Sequence, residues 1–459
     1  MELAHFTFAQ LQPCHFLLSL VLALCLVLVF SSTNETDKLA LLAFKDVVKD
    51  SCGVLDSWND TIGFFHWYDV TCGLRHQRVT ILNLQSLGLS GSISPHIGNL
   101  SFLRRMYLHN NSLVREIPPQ VGRLSNLRLL RLDNNSLAGE IPRNISSCSK
   151  LLVLRIDNSQ LTRLRILSLE RNALSGNVPS FFGNLSLLES LQLGKNNLGG
   201  SIPKVLGHLT NLYGISVVGN RFSGTIPPSL LNLSSLIWFD VAYNQMQGSL
   251  PADLGLMLPN IQGFGIDLNQ FEGPIPPSMS NWTKLEIIQL GDNKLSGKVP
   301  SFGNMPKLWC FSISNNQLGI GNSNDLSFVC SLTNSTRLKV FQIGGNRLSG
   351  VLPKCIGNFS SNFNRFQVSQ NLMFGEIPKV IGNLVNLEVL ILSFNKFSGK
   401  IPSNIVNLQN LVVLNLISNN LGGMIPISLG NLTKLIKLGL SWNNFHGQIP
   451  SHLSKCQSL

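Results

Sequence analysis

Hydrophobic and polar positions alternate in short stretches that recur along the chain at a spacing of about 24 residues. In Leu130-Arg131-Leu132 two leucines flank an arginine, and this two-residue period is typical of a strand with one buried face. Asn, Gly and Pro follow each strand, as in LRLDNNSLAGEIP, LQLGKNNLGGSIP and LNLISNNLGGMIP (residues 130–142, 191–203 and 414–426). The pattern L-x-L-x-x-N-x-L-x-G-x-I-P therefore predicts short strands that stack in parallel in a repeat array.

Sixteen copies of this pattern can be aligned on the position of the asparagine. That position falls at residues 87, 111, 135, 159, 172, 196, 220, 244, 269, 293, 316, 346, 371, 395, 419 and 443. Most steps are of 24 residues, whereas the step from 159 to 172 has 13 and the step from 316 to 346 has 30. The alignment therefore predicts one shortened and one long repeat.

The polar residues of the repeat have predictable roles. An asparagine side chain such as that of Asn220 offers two donors and one acceptor to backbone groups that are buried where the chain turns inward. Gly224 permits a tight turn. Pro227 fixes φ and, because it has no backbone N–H, ends the series of backbone hydrogen bonds between strands. Because no single repeat can bury its leucines, we expect stability to come from contacts between neighbouring repeats.

The first 31 residues have a different pattern. The stretch from Phe16 to Phe30 reads FLLSLVLALCLVLVF, and the small residues Ser31 and Ser32 follow it. This predicts a signal peptide over residues 1–31, with an uncleaved membrane anchor as the alternative. The apolar run is shorter than the roughly 20 residues of a spanning helix, which favours the signal peptide.

The L-x-G-x-I-P element resembles the plant-specific class of leucine-rich repeats, and residues 32–78 resemble the plant N-terminal capping domain through TDKLALLAFKD (36–46) and GVLDSWND (53–60). The repeat and the cap together resemble the ectodomains of plant pattern-recognition receptor kinases. The resemblance implies an α/β repeat solenoid that forms a right-handed superhelix over residues 79–459. Its concave face would be a parallel β-sheet and its convex face short 3-10 or irregular segments, behind an N-terminal cap.

The cysteines depart from the pattern of that family. The family cap ends in C-x-W-x-G-V-x-C, but Phe65 stands at the first cysteine position here, so that Cys72 lacks its usual partner. A Cys52–Cys72 bridge is then the hypothesis for the cap, because Cys52 is the other cysteine in this region. Cys148 and Cys456 share one repeat phase and are predicted to be small buried residues, whereas Cys310, Cys330 and Cys355 could form a bridge of open connectivity around the long repeat.

Two further departures concern the array itself. Thirteen residues between positions 159 and 172 are too few for a turn and a return path, which predicts a local kink or, as we favour, the loss of a segment. The sequence ends at Leu459 inside a repeat, with no polar C-terminal cap of the kind that solenoids need. By resemblance, we therefore expect a truncated receptor.

Composition, charge and the lack of catalytic motifs reduce the number of function classes that the chain could have. Charged residues make up only 13% of the chain, and the formal net charge is +12. No H-E-x-x-H or G-x-S-x-G motif occurs, and Gly297-Lys298 belongs to the repeat turn and not to a phosphate loop. The nine His have no ligand spacing, so that we expect no metal, no cofactor and no enzyme activity. The predicted secretion and the absence of long charge runs argue against nucleic-acid binding. The positive net charge favours an acidic cell-wall environment or an acidic partner.

The outward positions of the strands form the predicted ligand-binding surface, because solenoids bind along their concave faces. The candidates are Arg105, Tyr107, His109, Arg131, Asp133, Arg155, Trp238, Asp240, Tyr243, Asp267 and Asp292. Twelve N-x-S/T sequons predict glycosylation at Asn34, Asn59, Asn99, Asn110, Asn134, Asn144, Asn184, Asn232, Asn281, Asn334, Asn358 and Asn431.

The resemblance implies a non-catalytic extracellular receptor of plant defence that binds a peptide or a microbial protein, in the apoplast or on the outer face of the plasma membrane. A co-receptor kinase would join a full-length relative, and membrane attachment would need a missing downstream helix or an uncleaved leader. Two alternatives remain open at this point. One is a secreted inhibitor similar to plant polygalacturonase-inhibiting proteins, and the other is a fragment of a complete receptor serine/threonine kinase.

Overall fold

The computed structural model describes residues 34–139, 142, 148, 165–456 and 458–459. The predicted leader, position 159 and the candidates Asn144 and Arg155 lie outside the described residues. The chain divides into two compact units, Met1–Ser175 and Gly176–Leu459. Among the described residues, no helix is long and apolar enough to span a membrane.

The first unit begins with a small cap. It contains an α-helix over residues 34–45, the strands Val48–Lys49 and Val70–Cys72, and the 3-10 helices Val54–Ser57 and Phe64–His66. The helix buries Leu41 and Phe44 on one face, and Phe44 packs near Trp58 with 6.4 Å between ring centroids. The Trp58 ring in turn stacks on that of Trp67 at 5.6 Å. These aromatic side chains form the core of the cap.

A buried ion pair joins the cap to the first repeat. The guanidinium of Arg78 donates to both carboxylate oxygens of Asp37, at 2.8 and 2.7 Å, and Asp37 also accepts from the Val79 amide at 2.9 Å. Arg78 lies over the Phe102 ring, 4.7 Å from its centroid. Both charged side chains are buried, so that each depends on the other for charge compensation.

Each repeat within the described residues contributes one strand to a first sheet, with its alternate side chains in the core. In the first unit Val70–Cys72 pairs antiparallel with Val79–Asn83, and parallel pairing continues to Arg105–Tyr107 and Leu129–Arg131. Ile166–Ser168 is a further first-sheet strand. In the second unit the strands, in parallel register, are Ser190–Gln192, Gly214–Ser216, Trp238–Asp240, Gly263–Gly265, Ile287–Gln289, Cys310–Ser312, Val340–Gln342, Arg365–Gln367, Val389–Ile391, Val413–Asn415 and Lys437–Gly439.

A second set of strands follows the asparagine turn of each repeat. In the first unit these are Ser90–Ser92, Ser112–Arg115 and Ser136–Gly139, and Ser90–Ser92 also pairs antiparallel with Val48–Lys49. Ala173–Asn177 comes next. In the second unit they are Asn197–Gly200, Arg221–Gly224, Gln245–Ser249, Gln270–Gly273, Lys294–Gly297, Gln317–Leu318, Ser349–Val351, Leu372–Glu376, Lys396–Gly399, Asn420–Met424 and Asn444–His446. Gly224, with φ of 76°, ends its strand in a conformation that favours glycine, as predicted.

Short helices complete the repeats on the opposite side. Most are 3-10 helices, namely Pro95–Asn99, Pro119–Arg123, Ser180–Asn184, Lys204–His208, Pro277–Asn281, Val329–Asn334, Lys354–Asn358, Lys379–Asn383, Ser403–Asn407, Ile427–Asn431 and Ser451–Lys455. Pro228–Leu231 and Leu254–Met257 are single α-helical turns. The proline of the I-P dipeptide is the N-cap of most of these helices, as Pro203 and Pro402 show. The predicted division into a parallel sheet and short 3-10 segments is confirmed.

The asparagine side chains form a hydrogen-bonded ladder between the turns. Asn220 Nδ2 donates to the carbonyls of Leu193 and Val217, at 3.0 and 2.9 Å, and its Oδ1 accepts from the Leu198 amide at 3.0 Å. The same arrangement recurs from Asn111 to Asn443. Each side chain thus pairs with backbone groups of its own repeat and of the preceding one, as predicted.

The residue before each asparagine has a left-handed backbone, which the sequence pattern did not predict. Tyr243 and Asp292 have φ of 56° and 51°, and Trp442 has φ of 57°. Such a conformation costs about 1 kcal/mol or more for a residue with a Cβ. The cost is offset because this conformation aims successive amides at the next turn, as in Tyr243 N to Asp267 O at 2.7 Å.

At the predicted shortened repeat, the structure differs from the expected order. The Asn172 turn stacks directly on the Asn135 turn, since the Leu137 amide donates to Asn172 Oδ1 at 3.1 Å and Asn134 N donates to Glu170 O at 2.8 Å. The sequence alignment places position 159 between these two turns. Thirteen residues cannot complete one coil, and the next full repeat therefore takes the neighbouring place in the ladder.

The long repeat between Asn316 and Asn346 folds around a buried carboxylate. Asp325 is 1% exposed and accepts hydrogen bonds from the amides of Gly321 and Ser349, at 2.9 and 3.2 Å. The Leu318 amide still donates to Asn346 Oδ1 at 3.0 Å, so that the ladder is continuous across the insertion. The second sheet is interrupted at this point, between Gln317–Leu318 and Ser349–Val351.

Removal of one partner of the buried ion pair should destabilise the first unit. We expect Asp37→Ala to lower the free energy of unfolding by about 3–5 kcal/mol, because the Arg78 charge would be buried without compensation. Urea denaturation followed by circular dichroism measures this change. Asp60→Ala removes the exposed ion pair with Lys38 and serves as the control, with little expected effect. Equal stability of both variants would contradict the prediction.

Loss of one ladder side chain should destabilise the second unit. Asn220→Ala leaves two carbonyls and one amide without their partner, so we expect a loss of about 2 kcal/mol in unfolding free energy. The matched control is Asn211→Ala, since Asn211 is exposed and makes a single bond to Ser186 O at 2.9 Å. If urea denaturation gives the same midpoint for both variants, the ladder does not have the energetic role that we assign to it.

Candidate functional site

Trp238 lies on the outward face of a first-sheet strand in the second unit and is 39% exposed. Its neighbours across the sheet are Gly214 and Gly263, which share its register position in the adjacent strands. A Cβ atom built on Gly263 would lie 2.0 Å from Trp238 Cε3. The indole therefore occupies the space that a side chain at position 263 would otherwise fill, and the glycine fixes where the ring lies.

Tyr243 lies in the turn that follows the same strand, in the left-handed position before Asn244, and is 58% exposed. Leu268 has the equivalent position in the next repeat and is also exposed. The sequence analysis missed Leu268, Gly263 and Gly265 as parts of this surface. The signal that could have found the glycines is their presence at outward strand positions, where most repeats have a side chain.

Three carboxylates lie on successive repeats that begin with the Trp238 repeat. Asp240 is on the Trp238 strand, whereas Asp267 and Asp292 follow the next two strands. Asp240 Oδ1 accepts from the Ala242 amide at 3.0 Å, and Asp267 Oδ1 accepts a short hydrogen bond from the Gly291 amide. None of the three forms an ion pair with a basic side chain within the described ranges. Where these carboxyls are ionised, their negative charge is therefore available to a ligand.

Burial changes the protonation of two of these groups. Desolvation raises the pKa of the Asp267 carboxyl to about 7; the Gly291 hydrogen bond lowers it, and the charges of Asp292 and Asp240 raise it further. Desolvation also raises the pKa of Asp240, against the hydrogen bond from Ala242. The negative charge of this surface therefore increases as the pH rises toward neutrality.

We name Trp238, Asp240, Tyr243, Asp267 and Asp292 the acidic aromatic surface. The structure brings these five predicted residues together on adjacent repeats. Aromatic side chains are frequent binding hot spots, and uncompensated carboxylates attract cations. The arrangement is suited to an extended ligand that carries basic and apolar groups. It contains no nucleophile paired with a base.

The ligand-binding candidates of the first unit differ from the acidic aromatic surface in their charge. Arg105 is exposed and Tyr107 is half-buried. Arg131 donates to both carboxylate oxygens of Asp133, at 3.0 and 2.7 Å, so that these two charges compensate each other. A ligand would have to compete with that pair, and the surface is correspondingly less available than the acidic aromatic surface.

The prediction that the His109 side chain points outward to bind a ligand is wrong, because His109 is only 6% exposed. Its ring lies 6.2 Å from that of Tyr107. Burial lowers the pKa of His109, and the nearby Arg131 lowers it further, against the opposing effect of Asp133. The side chain is a buried neighbour of the stacked turns.

The disulfide prediction for the cap is not borne out in the structure, where Cys52 and Cys72 are both free. Cys72 is held in a strand opposite Val79, whereas Cys52 lies in an exposed turn whose amide donates to Asp50. Burial raises the pKa of the Cys72 thiol to about 11. Cys148 and Cys456 are buried, as predicted.

A disulfide joins two of the three cysteines near the long repeat. Cys330 is bonded to Cys355, whereas Cys310 is free and buried. The bond links the 3-10 helices Val329–Asn334 and Lys354–Asn358. The connectivity that the sequence left open is therefore Cys330–Cys355.

The predicted glycosylation sites within the described residues have three locations. Most lie in the short helices or directly after them, on the side away from the first sheet: Asn99, Asn184, Asn232, Asn281, Asn334, Asn358 and Asn431. Asn34 and Asn59 are in the cap. Asn110 and Asn134 lie in the turns of the first unit, and Asn134 Nδ2 donates to Asn110 Oδ1 at 2.7 Å. The acidic aromatic surface itself contains no sequon.

The raised pKa of Asp267 predicts a specific pH dependence of stability. Since the folded protein retains this proton to higher pH than the unfolded chain, the contribution of Asp267 to stability should decrease as the pH rises from about 4 to 7. Asp267→Asn should remove this decrease, and urea denaturation at several pH values measures it. Asp292→Asn removes a repelling charge and should lower the pKa of Asp267. An identical pH profile in Asp267→Asn and wild type would contradict the assignment.

Comparison with known proteins places these features in a family. The sequence pattern described as "Leucine rich repeat N-terminal domain" matches residues 34–73. Patterns described as "Leucine rich repeat" match residues 162–222, 126–148, 386–408, 410–432 and 434–456. Among the described residues, no group of three His, Cys, Asp or Glu side chains could hold a metal ion.

Two plant receptor kinases are among the curated relatives. The LRR receptor-like serine/threonine-protein kinase EFR of Arabidopsis thaliana is 48% identical over 97 residues, which are 21% of this chain and 9% of the relative. The receptor kinase-like protein Xa21 of Oryza sativa subsp. japonica is 46% identical over 82 residues, which are 16% of this chain and 8% of the relative. The matches thus span less than a tenth of the length of these relatives.

Solved ectodomains match over most of the chain. The ectodomain of GASSHO1/SCHENGEN3 from Arabidopsis thaliana, in complex with CASPARIAN STRIP INTEGRITY FACTOR 2, has a TM-score of 0.71 and 31% identity, covering 92% of this chain and 57% of that one. The plant peptide hormone receptor RGFR1 in complex with RGF2 has a TM-score of 0.63 and 30% identity, covering 80% and 68%. The chain belongs to the leucine-rich-repeat family, in the type that forms the ectodomains of plant receptor kinases.

Proposed function

We propose that this chain is an extracellular recognition module that binds a peptide or an extended protein segment along the first sheet of its second unit. The acidic aromatic surface is the observation that carries the proposal. It would take a ligand with at least one lysine or arginine and an apolar side chain next to it. No bond is made or broken in this function.

The geometry of the surface supports a ligand that lies flat on the sheet. Gly263, Gly265 and Gly291 leave the strands without side chains beside Trp238, Asp240 and Asp267. The Trp238 ring and the two carboxylates lie over these glycines, so that the exposed indole offers an apolar contact and the carboxylates offer charge-assisted hydrogen bonds. Because Trp238 is held in place by the strand and by Gly263, little conformational entropy would be lost when a ligand binds.

The comparisons support a peptide as the ligand class. RGFR1 is a peptide hormone receptor and was solved with RGF2, and GASSHO1/SCHENGEN3 was solved with CASPARIAN STRIP INTEGRITY FACTOR 2. Recognition of a microbial peptide, a defence role and recruitment of a co-receptor kinase are finer predictions that rest on the resemblance in sequence. An extracellular location and N-glycosylation follow from the same resemblance and from the sequons.

A randomised peptide library, displayed on phage and selected against the immobilised protein, tests the proposal. We expect selected peptides to be rich in Lys and Arg next to aromatic or aliphatic residues. Trp238→Ala and Gly263→Ala should each weaken binding of such a peptide about tenfold or more, since the first removes the ring and the second displaces it. Double substitution of Asp240 and Asp267 by Asn should reduce both the affinity and its dependence on salt.

Trp442→Ala is the matched control, because Trp442 is an exposed tryptophan of the last repeat, remote in sequence from this surface. Equal losses in Trp442→Ala and Trp238→Ala, or selected peptides without basic residues, would overturn the proposal. Stoichiometric inhibition of a fungal polygalacturonase, unaffected by Trp238→Ala, would favour the inhibitor alternative.

A further inference from the structure

A groove lies on another part of the second unit. It has a volume of about 430 Å³ and is lined by Trp309, Arg337, Lys339 and Asn362. These residues lie where the chain enters the first-sheet strands Cys310–Ser312, Val340–Gln342 and Arg365–Gln367. The groove shares no residue with the acidic aromatic surface, and its size is in the range of small-ligand sites.

Trp309 presents its ring to solvent in this groove and is 36% exposed. Its backbone is fixed by the sheet, since its amide donates to Glu286 O at 2.9 Å and its carbonyl accepts from the amides of Lys339 and Val340 at 2.9 and 3.0 Å. Within the part of the chain that the structure describes, no other aromatic ring or cation packs on the Trp309 ring. The indole is therefore an accessible platform on a fixed backbone.

Arg337 and Lys339 supply positive charge without a protein counter-charge. Both are exposed, and neither forms an ion pair with a described acidic residue. Arg365 begins the adjacent strand, and its amide donates to the Lys339 carbonyl at 3.0 Å. The groove itself contains no carboxylate. Its chemistry therefore selects an anion.

The disulfide makes the groove rigid. Arg337 and Asn362 follow, by a few residues, the two 3-10 helices that Cys330 and Cys355 connect. The bond limits the separation of the two repeats that contribute the cations and the amide. Such preorganisation reduces the entropy lost when a ligand is bound.

We propose that this groove binds an acidic oligosaccharide built of uronic acid residues. The sugar carboxylate would accept charge-assisted hydrogen bonds from Arg337 and Lys339, and the C–H face of the ring would lie on the Trp309 indole. The Asn362 amide offers both a donor and an acceptor to neighbouring hydroxyl groups. An acidic peptide could satisfy the cations, but it has no rigid apolar ring face or paired hydroxyl groups to match Trp309 and Asn362.

Isothermal titration calorimetry of the full secreted protein with a galacturonic acid decamer tests this proposal. A neutral galactose decamer is the parallel probe and should not bind measurably. We expect Arg337→Gln/Lys339→Gln and Trp309→Ala each to weaken binding of the galacturonic acid decamer about tenfold or more, whereas Trp309→Phe should retain most of the affinity. The thermal unfolding midpoint of each variant verifies that it is folded.

Lys204→Gln/Lys379→Gln is the control variant, because it removes the same charge from the exposed starts of two 3-10 helices. Equal losses in both double variants, or equal binding of a glutamic acid decamer, would show non-specific attraction of polyanions and would overturn the proposal. Trp238→Ala should leave saccharide binding unchanged, so that this proposal and the proposed peptide recognition can fail separately.

Discussion

The hydrogen-bonded asparagine ladder is the interaction on which the rest of this structure depends. Each strand ends at a turn whose carbonyl and amide groups are shielded from water, and the Asn side chain pairs with them across two repeats. An unpaired buried amide or carbonyl costs about 1–3 kcal/mol, and the cost would recur in every repeat. The ladder thus allows a chain with short strands and few charged residues to remain a regular stack.

Because the ladder and the leucines fix the backbone, the outward strand positions can vary without loss of the fold. Most have ordinary side chains, but around Trp238 several are glycine, and the neighbouring carboxylates have no basic partner. Binding chemistry can therefore be concentrated on a few repeats while the remaining repeats maintain the scaffold. The Trp309 groove has the opposite charge and lies where the chain enters the strands, which is consistent with two ligands of different chemistry.

The ladder also explains how irregular repeats are tolerated. Asn172 takes the place next to Asn135 in the ladder, although 37 residues separate them in sequence. In the long repeat, Asn316 and Asn346 remain neighbours in the ladder, whereas the additional residues fold around Asp325 and the Cys330–Cys355 bond. Both adaptations preserve the hydrogen bonds of the turns, and the second sheet is interrupted at the long repeat.

The sequence alone determined the repeat period, the alternation of buried and outward strand positions, the role of the asparagines and the acidic aromatic candidates, because these depend on local spacing and on stacking of identical turns. The burial of His109, the free state of Cys52 and Cys72, and the direct contact of the Asn135 and Asn172 turns were decided only by the tertiary structure. The tertiary structure alone also decided the raised pKa of Asp267 and the position of the Trp238 ring over Gly263. Each of these depends on residues that are separated in sequence and meet only in the folded chain, and spacing within a single repeat carries no information about what the next repeat presents.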